Sequence, residues 1–192
     1  LPDLKVFSKK LAEMGITKDS TVVVYDDKNN TFAPRAWWLL RYVGVEKSYV
    51  LAGGFRAWEE VGYEVTKEIP AKNPVTFTPD VQENNTVTME EVRDRNRDNT
   101  VLIDSRAFER YIGKTEPLYD KKGHIPGAKN YFWLDLYDEA GNWKSKEALM
   151  DHFAGLQDAE EIIVSCGSGI SATPNILALK MLGFDTVKLY PG

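Results

Sequence analysis

The chain has 192 residues with 43% hydrophobic and 11% aromatic content, enough to bury a substantial core, which excludes a disordered or fibrous polypeptide. Twenty-four basic residues stand against 29 acidic ones for a net charge of −5, and no Lys/Arg stripe forms, which excludes nucleic acid as a main partner. A single cysteine rules out an internal disulfide, no apolar run reaches membrane-spanning length, and both features suit a cytoplasmic, reducing setting with no membrane partner.

The elements alternate along the chain. Val23-Val24-Tyr25 reads as a strand, and the segment from Ala33 has helical apolar spacing up to Gly44, the residue type that suits the left-handed position after a helix end. A second strand follows at Val50-Leu51, and the first unit continues through Phe55, Trp58 and Tyr63. Lys67 to Pro74 is polar, holds two prolines and reads as a linker. Beyond it come a helix around Met89 to Asn96, a strand Val101 to Asp104 and a helix Lys146 to Leu156. The apolar run Glu161 to Ser165 then gives a buried strand, a glycine-rich loop follows, and a helix from Ala172 to Leu182 ends at Gly183 before a last strand at Leu189-Tyr190. Alternating strands and helices predict an α/β fold with parallel sheets flanked by helices.

The pattern occurs twice. The offset of 139 that carries Gly44 onto Gly183 also carries Val23-Val24-Tyr25 onto Ile162-Ile163-Val164 and Gly53 onto Gly192. It predicts a first unit over 1–66, a linker over 67–80 and a second unit over 81–192. Applied to Thr86 it falls before residue 1, so the first unit is expected to begin upstream of this chain, which opens on Leu1 and not on Met. The second unit is likewise expected to continue past Gly192. The same offset sets Asp27 against Cys166, which marks the second unit as the one with chemistry, since a carboxylate cannot do a thiol's work on sulfur.

Cys166 stands where the strand gives way to Gly167-Ser168-Gly169-Ile170-Ser171. Small residues there let backbone N–H groups converge, and the N-terminus of the following helix favours negative charge, so the thiol is a candidate nucleophile. A structural cysteine needs no such loop. A phosphatase of the tyrosine or dual-specificity class needs arginine at the sixth position after its cysteine, and that position is Ala172. One cysteine and two distant histidines, His124 and His152, offer no metal site, and no cofactor is expected. His124 is read as a structural hydrogen-bonding residue and His152 as an uninvolved residue of a surface helix. At least one of Trp37 and Trp38 is expected in the core.

Several segments resemble the two-domain rhodanese family of sulfurtransferases, across essentially the whole chain. In the first unit they are Val24-Tyr25-Asp26, Ala33-Pro34-Arg35-Ala36-Trp37-Trp38 and Leu51-Ala52-Gly53-Gly54-Phe55-Arg56-Ala57-Trp58. In the second they are Leu102-Ile103-Asp104-Ser105-Arg106, Glu109 to Gly113, Gly123-His124-Ile125-Pro126-Gly127-Ala128 and Cys166 to Ser171. The resemblance implies an inactive first unit, represented here by its C-terminal half, and a catalytic second one. It also implies transfer of a sulfane sulfur through a Cys166 persulfide to an external acceptor: cyanide, a small thiol or a thioredoxin-like protein. Asp104 and Arg106 match a strand-end pair that shapes the site.

Neutral Gly167 and Ser168 directly after the cysteine are similar to the 3-mercaptopyruvate type, with thiosulfate as the alternative donor. On that resemblance Ser168 is a proton relay, Arg110 holds the donor carboxylate, and Gly167, Gly169, Ile170 and Ser171 form the binding loop. A second arginine common in that type is absent from Leu118-Tyr119-Asp120-Lys121-Lys122, and the aspartate and histidine that assist the serine are expected upstream of Leu1. The competing reading is a rhodanese-like binding module with an idle cysteine.

Overall fold

The computed structural model describes residues 1–27 and 30–192, which divide into two compact units, 1–83 and 84–192. The first contains α1 (Leu4–Glu13), β1 (Val22–Val24), α2 (Phe32–Tyr42), β2 (Ser48–Val50) and α3 (Gly54–Glu60). The second contains α4 (Met89–Asp94), β3 (Thr100–Asp104), α5 (Phe108–Tyr111), β4 (Lys129–Asn130), α6 (Lys146–His152), β5 (Glu161–Ser165), α7 (Thr173–Met181) and β6 (Val187–Tyr190).

In the second unit a fully parallel sheet has the order β4-β3-β5-β6. Ile162, Ile163, Val164 and Ser165 of the central β5 are all buried, as expected of a strand covered on both faces. That burial explains a continuous apolar run where a one-sided strand would alternate. Helix α7 is also sunk in the core. Every residue from Thr173 to Leu179 is buried, and Pro174 in its first turn sits where no N–H partner is lost. Each fully buried Ile or Leu of this core, such as Ile163, Ile176 and Leu189, contributes roughly 1.5–3 kcal/mol through removal of apolar surface from water. Helix α4 begins with a reciprocal capping box between Thr88 and Glu91 and ends at Asp94, short of Asn96, because Arg95 turns extended. The stretch 146–156 divides into α6 and a 3-10 turn, Ala154–Leu156.

In the first unit β1 and β2 pair in parallel, and Trp37 and Trp38 are both buried. Gly44 and Gly183 adopt φ of 90° and 92° at corresponding helix ends. Residues 75–82 lie against this unit: the Val75, Asp80 and Gln82 N–H groups donate to the carbonyls of Ala12, Val43 and Tyr42. The pairing register corrects one alignment. Val24 pairs with Val50 and Val164 with Leu189, and Val50 and Leu189 are equivalent in the repeat. The place of Cys166, two residues beyond the paired valine, therefore belongs to Asp26 and not Asp27. The chemical conclusion is unchanged, because Asp26 is also a carboxylate; its Oδ2 accepts the Ala33 N–H at 3.0 Å.

His152 is not the uninvolved surface residue its helix suggested. It is half-buried between Tyr131 and Phe153, with ring centroids 5.4 and 4.7 Å away, and its Nε2 is buried without a hydrogen-bond partner. Burial holds its pKa below the ordinary histidine value, with Lys144 adding to the effect and Asp135 opposing it. The unfolded chain then binds a proton at higher pH than the folded one. Stability from the neutral ring is intact above about pH 6.5 and declines as pH falls toward the lowered folded value. His152→Leu is expected to flatten the fall in urea midpoint between about pH 7 and pH 5, measured by circular dichroism at each pH.

Candidate active site

Cys166 leaves the sheet at the C-terminal end of β5, the edge of a parallel α/β sheet where ligands bind. The thiol is partly exposed, and the Gly169 N–H donates to its Sγ at 3.1 Å. Gly169 is buried with φ of 75°, a conformation that only glycine adopts without strain, so this donor depends on the residue type. The loop is closed from below by Thr173, whose N–H and Oγ1 both donate to the Ile170 carbonyl, at 3.1 and 2.7 Å. Ser168 is exposed, while Gly167, Ile170 and Ser171 are partly buried around the thiol.

Beside the loop lies a chain of four charges. Arg106 grips the Asp104 carboxylate with Nε and with Nη2 at 2.6 Å, and its Nη1 reaches Glu116 Oε2 at 3.1 Å. Arg110 holds the same Glu116 through Nη2 at 2.7 Å and Nε at 3.2 Å. The Glu116 side chain is fully buried. Hydrogen bonds from Arg110 and from the Leu118 N–H, with the charges of Arg110 and Arg106, outweigh that burial and lower its pKa below the ordinary carboxylate value. Hydrogen bonding and charge from Asp104, with help from Glu116, raise the pKa of Arg106 against the opposing effect of burial.

This chain carries Arg110 to the loop. A Cβ on Gly167 would stand 3.4 Å from both Arg110 Nη2 and the Tyr119 ring, so glycine here lets both side chains close on the backbone. Tyr119 also donates its hydroxyl to the Gly167 carbonyl at 2.6 Å. The structure thus gathers Cys166, the loop 167–171 and Arg110 in one place. Glu116, Tyr119, Thr173 and Asn175 were not singled out from sequence. Asn175 carried a signal, as the polar residue within the apolar helix that follows the loop. It is fully buried and its Nδ2 donates to Ser105 Oγ at 2.9 Å and to the Tyr131 carbonyl at 2.8 Å, pinning α7 beneath the loop. His124 is engaged by Tyr111: its Nδ1 is 2.7 Å from the Tyr111 carbonyl and its ring stacks on Tyr111. Among the described residues no cluster of ligating side chains could hold a metal, and no helix is long and apolar enough to cross a membrane.

The sequence matches the rhodanese-like domain over residues 1–61 and 88–192. The chain belongs to the rhodanese family. Within this family it resembles a 3-mercaptopyruvate sulfurtransferase of Escherichia coli K12, with 37% identity over 201 residues covering all of this chain and 70% of the relative. A thiosulfate sulfurtransferase of Cricetulus griseus is 34% identical over 201 residues, covering 67% of its length. The crystal structure of the E. coli 3-mercaptopyruvate sulfurtransferase SseA superposes with a TM-score of 0.84 at 35% identity, covering the whole chain and 73% of SseA. This rhodanese is accordingly an enzyme of the sulfurtransferase class.

The Asn175 contacts predict a measurable cost in this rhodanese. Asn175→Ala removes two buried hydrogen bonds and strands the Ser105 hydroxyl, so it is expected to lower unfolding free energy by about 2–3 kcal/mol in urea titrations.

Proposed function

We propose that Cys166 accepts a sulfane sulfur as a persulfide and passes it to an external nucleophile. The observation that carries this reading is the Gly169 N–H directed at Sγ from 3.1 Å, at the open end of the central strand. A sulfur anion there, whether thiolate or terminal persulfide, meets a positioned donor. With 3-mercaptopyruvate, the Cys166 thiolate attacks the donor's sulfur and the carbon–sulfur bond breaks. Its electron pair leaves on the pyruvate enolate, which then takes a proton. With thiosulfate the sulfur–sulfur bond breaks and sulfite leaves.

Local charge favours the first donor. Arg106 and Arg110 are matched by Asp104 and Glu116, so the charge chain beside the loop has no cationic excess for a compact dianion. A single carboxylate needs only a directed donor, and Arg110 retains N–H groups beyond those given to Glu116. Arg110 is our candidate for that carboxylate, Ser168 for the proton relay, and Gly167, Gly169, Ile170 and Ser171 for the cradle around the reacting sulfur. Thiosulfate is the second donor. These 192 residues contain no other cysteine to resolve the persulfide, and the acceptor in this reading is a separate thiol, of the thioredoxin or small-thiol class, or cyanide. A reducing cytoplasm suits a working free thiol.

Intact-protein mass spectrometry after exposure to each donor separately tests the reading. The wild type is expected to gain one sulfur atom from 3-mercaptopyruvate, and Cys166→Ser none. Gain from neither donor would sink the enzymatic reading, and gain from thiosulfate alone would reverse the donor order. Arg110→Lys keeps the charge but loses the planar fork, and is expected to raise the KM for 3-mercaptopyruvate about tenfold in steady-state assays. An unchanged KM would remove Arg110 from the donor site.

A further inference from the structure

A second cluster of cations lies at the other end of the β3 strand, away from Cys166. Arg95 leaves α4 and is held in place by two backbone carbonyls, its Nη1 donating to Val92 O and its Nη2 to Pro126 O at 2.8 Å. Its Nε is buried with no hydrogen-bond partner. No carboxylate lies within ion-pair distance of Arg95 or of Arg97 among the described residues, although both guanidinium groups converge on one spot. That spot is the open face of Gly127. A Cβ there would stand 3.1 Å from Arg95 Nη2 and 3.6 Å from Arg97 Nη1. The two guanidinium groups therefore lie side by side next to the Gly127 Cα.

The spot opens into a cavity of about 260 Å³ lined by Arg95, Arg97, Lys129, Thr100 and the exposed carboxylates Asp98 and Asp158. Neither carboxylate forms an ion pair with the two arginines, and the Asp98 N–H is turned back to Asn96 Oδ1 at 3.1 Å. Convergent like charges without a counter-ion are unfavourable in the empty state. Burial, reinforced by the Arg97 charge, accordingly lowers the pKa of Arg95. A bound anion relieves that repulsion and accepts from the Nη N–H groups of Arg95 that the two carbonyls leave free.

We propose that this cavity is a binding site for a tetrahedral oxyanion, phosphate-like in chemistry and separate from the sulfur-transfer loop. Arg95 is its rigid base and Arg97 and Lys129 its outer clamps, with Gly127 in the cavity wall. The cavity mouth admits either a free inorganic ion or the phosphate ester of a small molecule.

The test is a titration followed by two-dimensional amide NMR, using inorganic phosphate, sulfate and glycerol phosphate in parallel with sodium chloride at matched ionic strength. Saturable shifts are expected at residues around 95–101 and 126–129 with phosphate and sulfate but not with chloride. Tighter binding of glycerol phosphate than of inorganic phosphate would identify an ester as the fitting source, and the reverse order a free ion. Arg97→Gln with Lys129→Gln is expected to weaken binding about tenfold while leaving sulfur transfer unchanged, since neither residue touches the Cys166 loop. Shifts that do not saturate, that appear equally with chloride, that persist in the double variant, or that map to 166–171 would overturn the proposal.

Discussion

The double-sided pairing of β5 is the constraint from which the rest of the second unit follows. Parallel neighbours β3 and β6 satisfy its backbone on both edges, and buried side chains cover both faces. A strand so enclosed has one exit, so Cys166 emerges at the middle of the sheet's C-terminal edge. Even the Ser165 hydroxyl is satisfied there, donating to the Ile103 carbonyl at 2.9 Å. The chain must then return through the core as α7, and the short loop between strand and helix has little choice of shape. Glycine at 169 supplies the left-handed backbone that turns an N–H back toward sulfur.

Charge burial is the second constraint. A carboxylate as enclosed as Glu116 is tolerated only with its lone pairs filled, and Arg106, Arg110 and the Leu118 N–H fill them. The same contacts tie the loop after α5 to the strand end at Asp104. Arg110 is therefore positioned by a structural obligation as well as by any donor.

The two units show one backbone plan put to different uses. At the position equivalent to Cys166 the first unit holds Asp26, whose carboxylate accepts the Ala33 N–H and whose carbonyl accepts the Phe55 N–H. That residue organises a loop and a helix start. Gly54 makes the arrangement strict, since a Cβ there would lie 2.3 Å from the Asp26 carbonyl oxygen. At the same strand exit one unit places a carboxylate that serves the fold and the other a partly exposed thiol.

Much of this was legible in the sequence, for physical reasons. A strand buried on both faces must be continuously apolar, as Ile162 to Val164 are, and a tight strand-to-helix loop must be rich in glycine. Those rules located β5, Cys166, the loop and α7, and the repeated glycine helix ends exposed the duplication. An ungapped offset, however, carries no knowledge of register, so it chose Asp27 where the strand pairing chooses Asp26. Nor could local pattern show that His152 turns inward to Tyr131, or that Glu116 and Tyr119, far from Cys166 in sequence, meet Arg110 and Gly167. Sequence by itself determined the alternation of elements and the identity of the thiol, because these depend on periodicity and backbone freedom. Tertiary structure alone decided which charges pair and which side chains surround the sulfur, because such contacts exist only once distant segments are packed together.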